Sequence, residues 1–213
     1  MNYFEIINAT LIEMNYSAVA SFSDLTKSEH KRLMNVINRL NKEICSRNNN
    51  FYFRQMVKNT NIYADKIEYS INISGKINKI LGQTADYLFE SDYTKFYSAN
   101  PPQNSYGIYG EKILFPAVND NIKIFYVTEN FVKNKNGDLK TDFEYETDES
   151  IIPANYVEKL FINGAAYNFK QNTAHPKYLH WKKAYDMALA DIMASAKNTT
   201  DSNVVIDGGY RKL

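Results

Sequence analysis

Between residues 153 and 197, apolar side chains recur twice at three- and four-residue spacing, which predicts two helices joined by a short connector. Val157, Leu160, Phe161, Gly164 and Asn168 mark the first. Tyr178, Trp181, Tyr185, Ala188, Leu189, Ile192 and Ala196 mark the second. Pro153 stands where a first-turn proline costs no hydrogen bond, and the connector at 171–175 is too polar for either buried stripe. A short connector implies antiparallel helices, with Gly164, Ala165 and Ala166 facing Ala184 and Ala188 at close backbone approach. Trp181 fits the core pattern, yet His180, Lys182 and Lys183 flank it, which also makes it a candidate subunit or partner contact.

The same period opens the chain. Tyr3, Phe4, Ile6, Ile7, Leu11, Ile12 and Met14 predict a helix that ends near Asn15. Thr26 followed by Glu29 reads as a capping box, so a second helix is expected from Lys27, with Leu33, Val36, Ile37, Leu40 and Ile44 as its buried stripe. Lys27, Lys31, Arg32, Arg39, Lys42 and Arg47 occupy the remaining surface, either as a solvated face or as a contact for an acidic partner or nucleic acid. The run Asn48-Asn49-Asn50 stops the helix.

From Phe51 the period changes to two. Phe51, Phe53, Gln55 and Val57 alternate with Tyr52, Arg54 and Met56, and Ile67, Tyr69, Ile71 and Ile73 alternate with polar neighbours. A turn is expected at Ser74-Gly75, and further strands at 106–109, 112–115 and 122–127. Residues 87–97 are ambiguous, and Asn100-Pro101-Pro102 must be a loop. Residues 133–150 are polar and acidic; Phe143 and Tyr145 suggest an edge strand, and Asp142, Glu144 and Glu146 are candidates for contact with a neighbouring subunit. After Lys197 the chain reads as an extended, partner-binding tail, whose Val204, Val205 and Ile206 suit addition to another sheet edge, with Tyr210 and Arg211 as anchors. The expected class is therefore α+β: a helical bundle of about four helices with an inserted antiparallel sheet or sandwich and an extended C-terminal tail. Its parts are residues 1–50 (N-terminal helices), 51–150 (β module), 151–197 (helical hairpin packing on 1–50) and 198–213 (tail).

Composition narrows function more than it narrows fold. The chain has 213 residues, enough to bury roughly 70% of its unfolded surface. A formal net charge of +1 argues against a dedicated nucleic-acid binder. The single cysteine, Cys45, excludes a disulfide framework and a cysteine metal cluster, and no signal-peptide or membrane-spanning pattern is present, so a soluble protein made in a reducing cytoplasm is expected. No phosphate-loop spacing, paired-histidine motif or nucleophile elbow occurs, and Gly137 is misplaced for a calcium loop. No catalytic residue, metal or cofactor is expected.

The order of these elements resembles that of the head-to-tail adaptor proteins of short-tailed bacteriophages, the group that includes tail tubular protein A. The resemblance is carried by the Leu33-Met34-Asn35-Val36-Ile37-Asn38-Arg39-Leu40-Asn41-Lys42-Glu43-Ile44 helix running into Phe51-Tyr52-Phe53, by the late Ile113-Leu114-Phe115-Pro116 strand, by Ile152-Pro153 opening a helix, and by a Tyr-containing final helix before an extended tail. It covers nearly the whole chain, although residues 133–150 have no placed counterpart. It implies a virion protein of the tail or neck, made in the host cytoplasm and without enzymatic activity. Such proteins form a ring, usually a dodecamer, between the portal protein and the tail tube or nozzle, through which genomic DNA passes, with no membrane contact. By the same resemblance, Val204, Val205, Ile206, Tyr210 and Arg211 would form the portal-binding segment. Two other readings stand beside it: a monomeric module contacting nucleic acid through the basic face of residues 27–47, and an enzyme with a dispersed site near the 100–109 loop.

Overall fold

Asn2 starts the first helix by accepting the Glu5 amide at 2.9 Å while the Glu5 carboxylate accepts the Asn2 amide at 2.9 Å. The computed structural model describes the backbone of residues 1–170 and 175–209 and the side chains of 1–170 and 175–196. It is a mixed α+β structure in two units, Met1–Arg54 with Asn130–Leu213, and Gln55–Glu129.

In the first unit, α1 (Tyr3–Glu13) buries Tyr3, Ile6, Ile7, Thr10 and Leu11 and ends two residues earlier than expected, where Asn15 takes φ 63. Helix α2 (Ser28–Ser46) starts one residue later than expected, with Lys27 at the N-cap and no side-chain cap. The expected Thr26–Glu29 box does not form, because a 3₁₀ turn (Phe22–Asp24) precedes the helix and the Thr26 amide bonds back to the Asp24 carbonyl at 2.8 Å. The stripe from Leu33 to Ile44 is buried as the spacing requires.

Helix α3 (Ala154–Val157) widens through a π turn (Glu158–Ile162) into α4 (Asn163–Lys170). Gly164 is required here: a Cβ would lie 2.8 Å from both Leu40 of α2 and a Tyr185 ring carbon of α5 (Tyr178–Gly209). Helix α5 buries Trp181, Tyr185, Ala188, Ile192 and Ala196, the expected positions. It continues to Gly209, so residues 198–209, expected as an extended tail, are helical in backbone. The side chains of Val204, Val205 and Ile206, all of Tyr210 and Arg211, and most of the 171–175 connector lie outside the described residues.

Residues 51–54 and 130–150, expected in the β module, belong to the helical unit. The reason is polar as well as apolar. Asn38 and Asn41, on the buried side of α2, serve as anchors: Asn38 exchanges two bonds with the Phe143 backbone, and Asn41 donates to the Phe131 carbonyl and accepts from Ser150 Oγ. Phe143 stacks on Tyr3 with ring centres 4.7 Å apart. Three short strands, β8 (Val132–Lys133), β9 (Leu139–Lys140) and β10 (Glu149–Ser150), form a small antiparallel sheet in the order β10-β8-β9, and the edge strand expected at Phe143 and Tyr145 is instead the loop between β9 and β10. Phe51 and Phe53, expected in a strand, stack at 4.8 Å around a 3₁₀ turn (Tyr52–Arg54) and join the helical core.

The second unit is a seven-stranded sheet. Its strands are β1 (Gln55–Ile62), β2 (Glu68–Tyr69), β3 (Gly75–Leu81), β4 (Asp86–Phe89), β5 (Ser105–Tyr109), β6 (Lys112–Leu114) and β7 (Asp120–Thr128), in spatial order β1-β7-β3-β4-β5-β6-β2. Neighbours run antiparallel except β4 and β5. The strand expected across 67–73 shrinks to two residues, because β6 offers a partner only as far as Ile113 and the chain then leaves the sheet toward Gly75. Gly75 (φ 145) begins β3 where a Cβ would meet the Val127 carbonyl at 2.0 Å. The core of this unit is Ile62, Tyr69, Ile80, Tyr87, Tyr106, Ile113, Phe115, Ile122 and Ile124.

Candidate interaction surfaces

The sheet unit leaves large apolar side chains in solvent. Leu88 and Phe89 of β4 are 71% and 58% exposed, and Ile108 and Tyr109 of β5 are 47% and 51% exposed. Beside them opens a cleft of about 550 Å³, whose lining includes Ile71, Ile73, Ile77, Phe89, Tyr106 and Ile108. It exists because β3 pairs with β4 only at Ile80 and Leu81, so the strands separate toward Gly75. Tyr93 stacks on Tyr109 at 4.6 Å, and the Tyr97 hydroxyl donates to Glu68 at 2.8 Å. Lys112 pairs with the same Glu68, and these bonds, Lys112 foremost, hold the Glu68 carboxyl below its ordinary value while the bond to Glu68 raises the Tyr97 phenol.

Some charges near this surface are matched within the unit, whereas Lys76 and Glu111, which also line the cleft, form no ion pair among the described residues. Lys95 pairs with Glu90 at 3.0 Å and Lys79 with Asp86 at 2.9 Å. What remains outward is aromatic, aliphatic and nearly neutral, the composition found at the centre of protein–protein interfaces. Residues 87–97 concealed this in the sequence, since strand β4 and a 3₁₀ turn (Tyr93–Tyr97) share one run without a single period. The adjacent pairs Leu88-Phe89 and Ile108-Tyr109 were the available signal, because two large apolar neighbours in a strand cannot both face a core.

In the helical unit, the structure divides the expected basic surface. Lys42 pairs with Asp142 at 2.7 Å and Arg47 with Glu43 at 2.5 Å. Lys27, Lys31, Arg32 and Arg39 are exposed and form no ion pair among the described residues. Arg32 is nonetheless held in place, donating to the Phe169 carbonyl at 3.1 Å with its guanidinium 4.9 Å from the Phe169 ring centre.

Trp181, which fits the buried stripe but is also a candidate partner contact from the sequence, is fully buried. Its Nε1 donates to Glu13 at 2.9 Å and its ring stacks on His175 at 4.8 Å, so both its polar and apolar demands are met internally. The bond from Trp181, with help from Lys177, keeps Glu13 below the usual carboxylate range despite its partial burial. Asp142 is engaged by Lys42 and Glu144 by Lys140, leaving only Glu146 of the three candidate acids exposed and without an ion pair among the described residues. The acid the sequence did not single out is Asp148. Its Oδ2 accepts from the Glu144 and Tyr145 amides at 2.7 Å each and lies 2.6 Å from Lys140 Nζ. The Asp148 and Glu146 carbonyls in turn accept the Tyr3 and Phe4 amides, so this loop completes the start of α1.

Among the described residues, no group of three or more His, Cys, Asp or Glu could hold a metal ion, and no helix is long and apolar enough to cross a membrane. Asp148 is the one fully buried carboxylate among them, and it lies far in sequence from the 100–109 loop. The Cys45 thiol is buried and pushed up to about 12 by desolvation, against the pull of Arg54, which disfavours its thiolate. No protein-family model matches the chain, and no curated protein matches it.

Proposed function

We propose that the chain is a structural subunit of a head-to-tail adaptor: a virion protein that assembles as a ring between portal and tail and continues the channel for the genome. The observation that carries this reading is the exposed apolar and aromatic side chains of β4 and β5, with Phe89 and Ile108 beside the cleft and Leu88 and Tyr109 on the alternate positions of the same strands. A surface of this kind is costly in water and gains from burial against another protein. In the finer form of the proposal, the helices form a bundle, the inserted sheet a sandwich-like module, and the C-terminal residues from 198 the portal contact. A ring multiplies weak contacts by copy number, so no single subunit need bind tightly.

Removing residues 198–213 tests the portal contact. The buried anchors of α5, Trp181 to Ala196, remain, so the truncated protein is expected to fold and to lose binding to purified portal protein. Portal binding at full strength by the truncated chain would remove that assignment. The alternative, a monomeric module contacting nucleic acid, draws on the cations Lys27, Lys31, Arg32 and Arg39, which form no ion pair among the described residues. It requires duplex binding by free monomer that falls steeply with salt.

A further inference from the structure

Arg32, Asn35, Val36 and Arg39 of α2 and Asn168 of α4 line a notch of about 260 Å³ in the helical unit. We propose that this notch is a binding site for a phosphate oxyanion. At roughly 30 Å³ per water, the space takes a phosphate group with part of its hydration shell. The Arg32 guanidinium is fixed by the Phe169 ring and carbonyl, so its remaining N–H groups are presented in one orientation and lose little freedom on binding. Arg39 is exposed, and the acid one turn further on, Glu43, is occupied by Arg47 at 2.5 Å. Asn168 Nδ2 donates to the Gly164 carbonyl at 2.8 Å, which fixes the amide at the wall of the notch, and Val36 is buried beneath.

The notch therefore joins a pre-oriented guanidinium, a second one with no ion pair among the described residues and the Asn35 amide, a donor set matched to an oxyanion, with Asn168 shaping the wall. Lys31 continues the same helix row toward the N-terminus, four residues before Asn35, and Lys27 stands at the N-cap, both without ion pairs among the described residues. This surplus of positive charge favours phosphate over a singly charged carboxylate. The phosphate can be free or part of a nucleic-acid backbone, since the contacted group is the same. The site is complete within one copy of the chain and rests on no reading of its assembly.

The test uses the full chain, labelled with ¹⁵N, titrated at constant ionic strength with inorganic phosphate, with chloride, and with a short DNA duplex. Phosphate is expected to shift the amides of Asn35, Arg39 and Asn168 saturably where chloride does not. Arg39→Gln is expected to weaken phosphate about tenfold. Arg32→Lys keeps the charge but removes the fork, and weakening there separates a built site from a diffuse positive field. A duplex that shifts the same amides and is displaced by phosphate identifies a backbone phosphate as the source; phosphate binding without a duplex effect identifies a small phosphorylated molecule. Equal responses to chloride and phosphate, or phosphate affinity unchanged in both variants, would overturn the site.

Discussion

The two units of this chain divide their apolar side chains differently between core and surface. The helical unit has the larger core, with Tyr3, Phe51, Phe161 and Trp181 fully buried and Glu13 and Asp148 accepting from internal donors, although Ile12, Tyr145, Leu179 and Met187 stand exposed. The sheet unit holds a core of nine residues and leaves Leu88, Phe89, Tyr93, Tyr97, Ile108 and Tyr109 largely outside it. Hydrophobicity alone thus says little about role. Whether a side chain's polar and apolar needs are met within the chain separates scaffold from contact surface.

The contrast predicts a graded set of outcomes. The largest belongs to the scaffold: Trp181→Ala removes a fully buried ring and leaves Glu13 with Lys177 as its remaining side-chain donor, and a loss of about 3–5 kcal/mol is expected in denaturant unfolding. A loss under about 1 kcal/mol would mean that the α1–α5 packing is not as described.

Next is Asp148→Ala, which deprives the Glu144 and Tyr145 amides and the Lys140 ammonium of their acceptor at an expected cost of about 1.5–3 kcal/mol. The same group sets a pH dependence. Burial works to raise the Asp148 carboxyl, but Lys140 and the two amides outweigh it, so its folded value lies below the ordinary 3.8. A depressed carboxyl stabilises the fold fully above its unfolded value. That contribution declines as the pH falls below 3.8 and through the folded value, and stability curves of the parent and Asp148→Ala should converge in that acid range. Parallel curves down to strong acid would contradict the role given to Asp148.

The smallest effect on stability belongs to the sheet surface. Leu88→Lys with Phe89→Lys should change unfolding free energy by about 1 kcal/mol, most of it from the lost Phe89–Tyr106 ring contact, since Leu88 already stands largely in water. The same pair should abolish assembly on portals. A large stability loss would reassign these residues to the scaffold.

Much of the helical unit was legible because its buried stripes repeat with the helix over several turns, as with Leu33 to Ile44 or Trp181 to Ala196. Short elements were not. Phe51 and Phe53 alternate like a strand but stack around a 3₁₀ turn, and the polar Lys58-Asn59-Thr60-Asn61 run is strand because β7 pairs with it along its whole length. The contact surface was hidden for the same reason: exposure in a strand depends on what lies across the sheet, not on local order. Asp148 and Asn38 escaped notice because their partners are backbone groups, which leave no mark in a sequence.

The central claim, that the sheet surface and C-terminal segment serve a ring at the portal, is tested most directly by electron microscopy. Purified protein would be mixed with capsids that carry a portal but lack tails, and imaged along the portal axis. The account predicts a ring of added density below the portal with the parent chain, and none with the Leu88→Lys, Phe89→Lys protein or with the chain lacking residues 198–213. Portals left bare by the parent chain, or rings formed equally well by all three proteins, would contradict it.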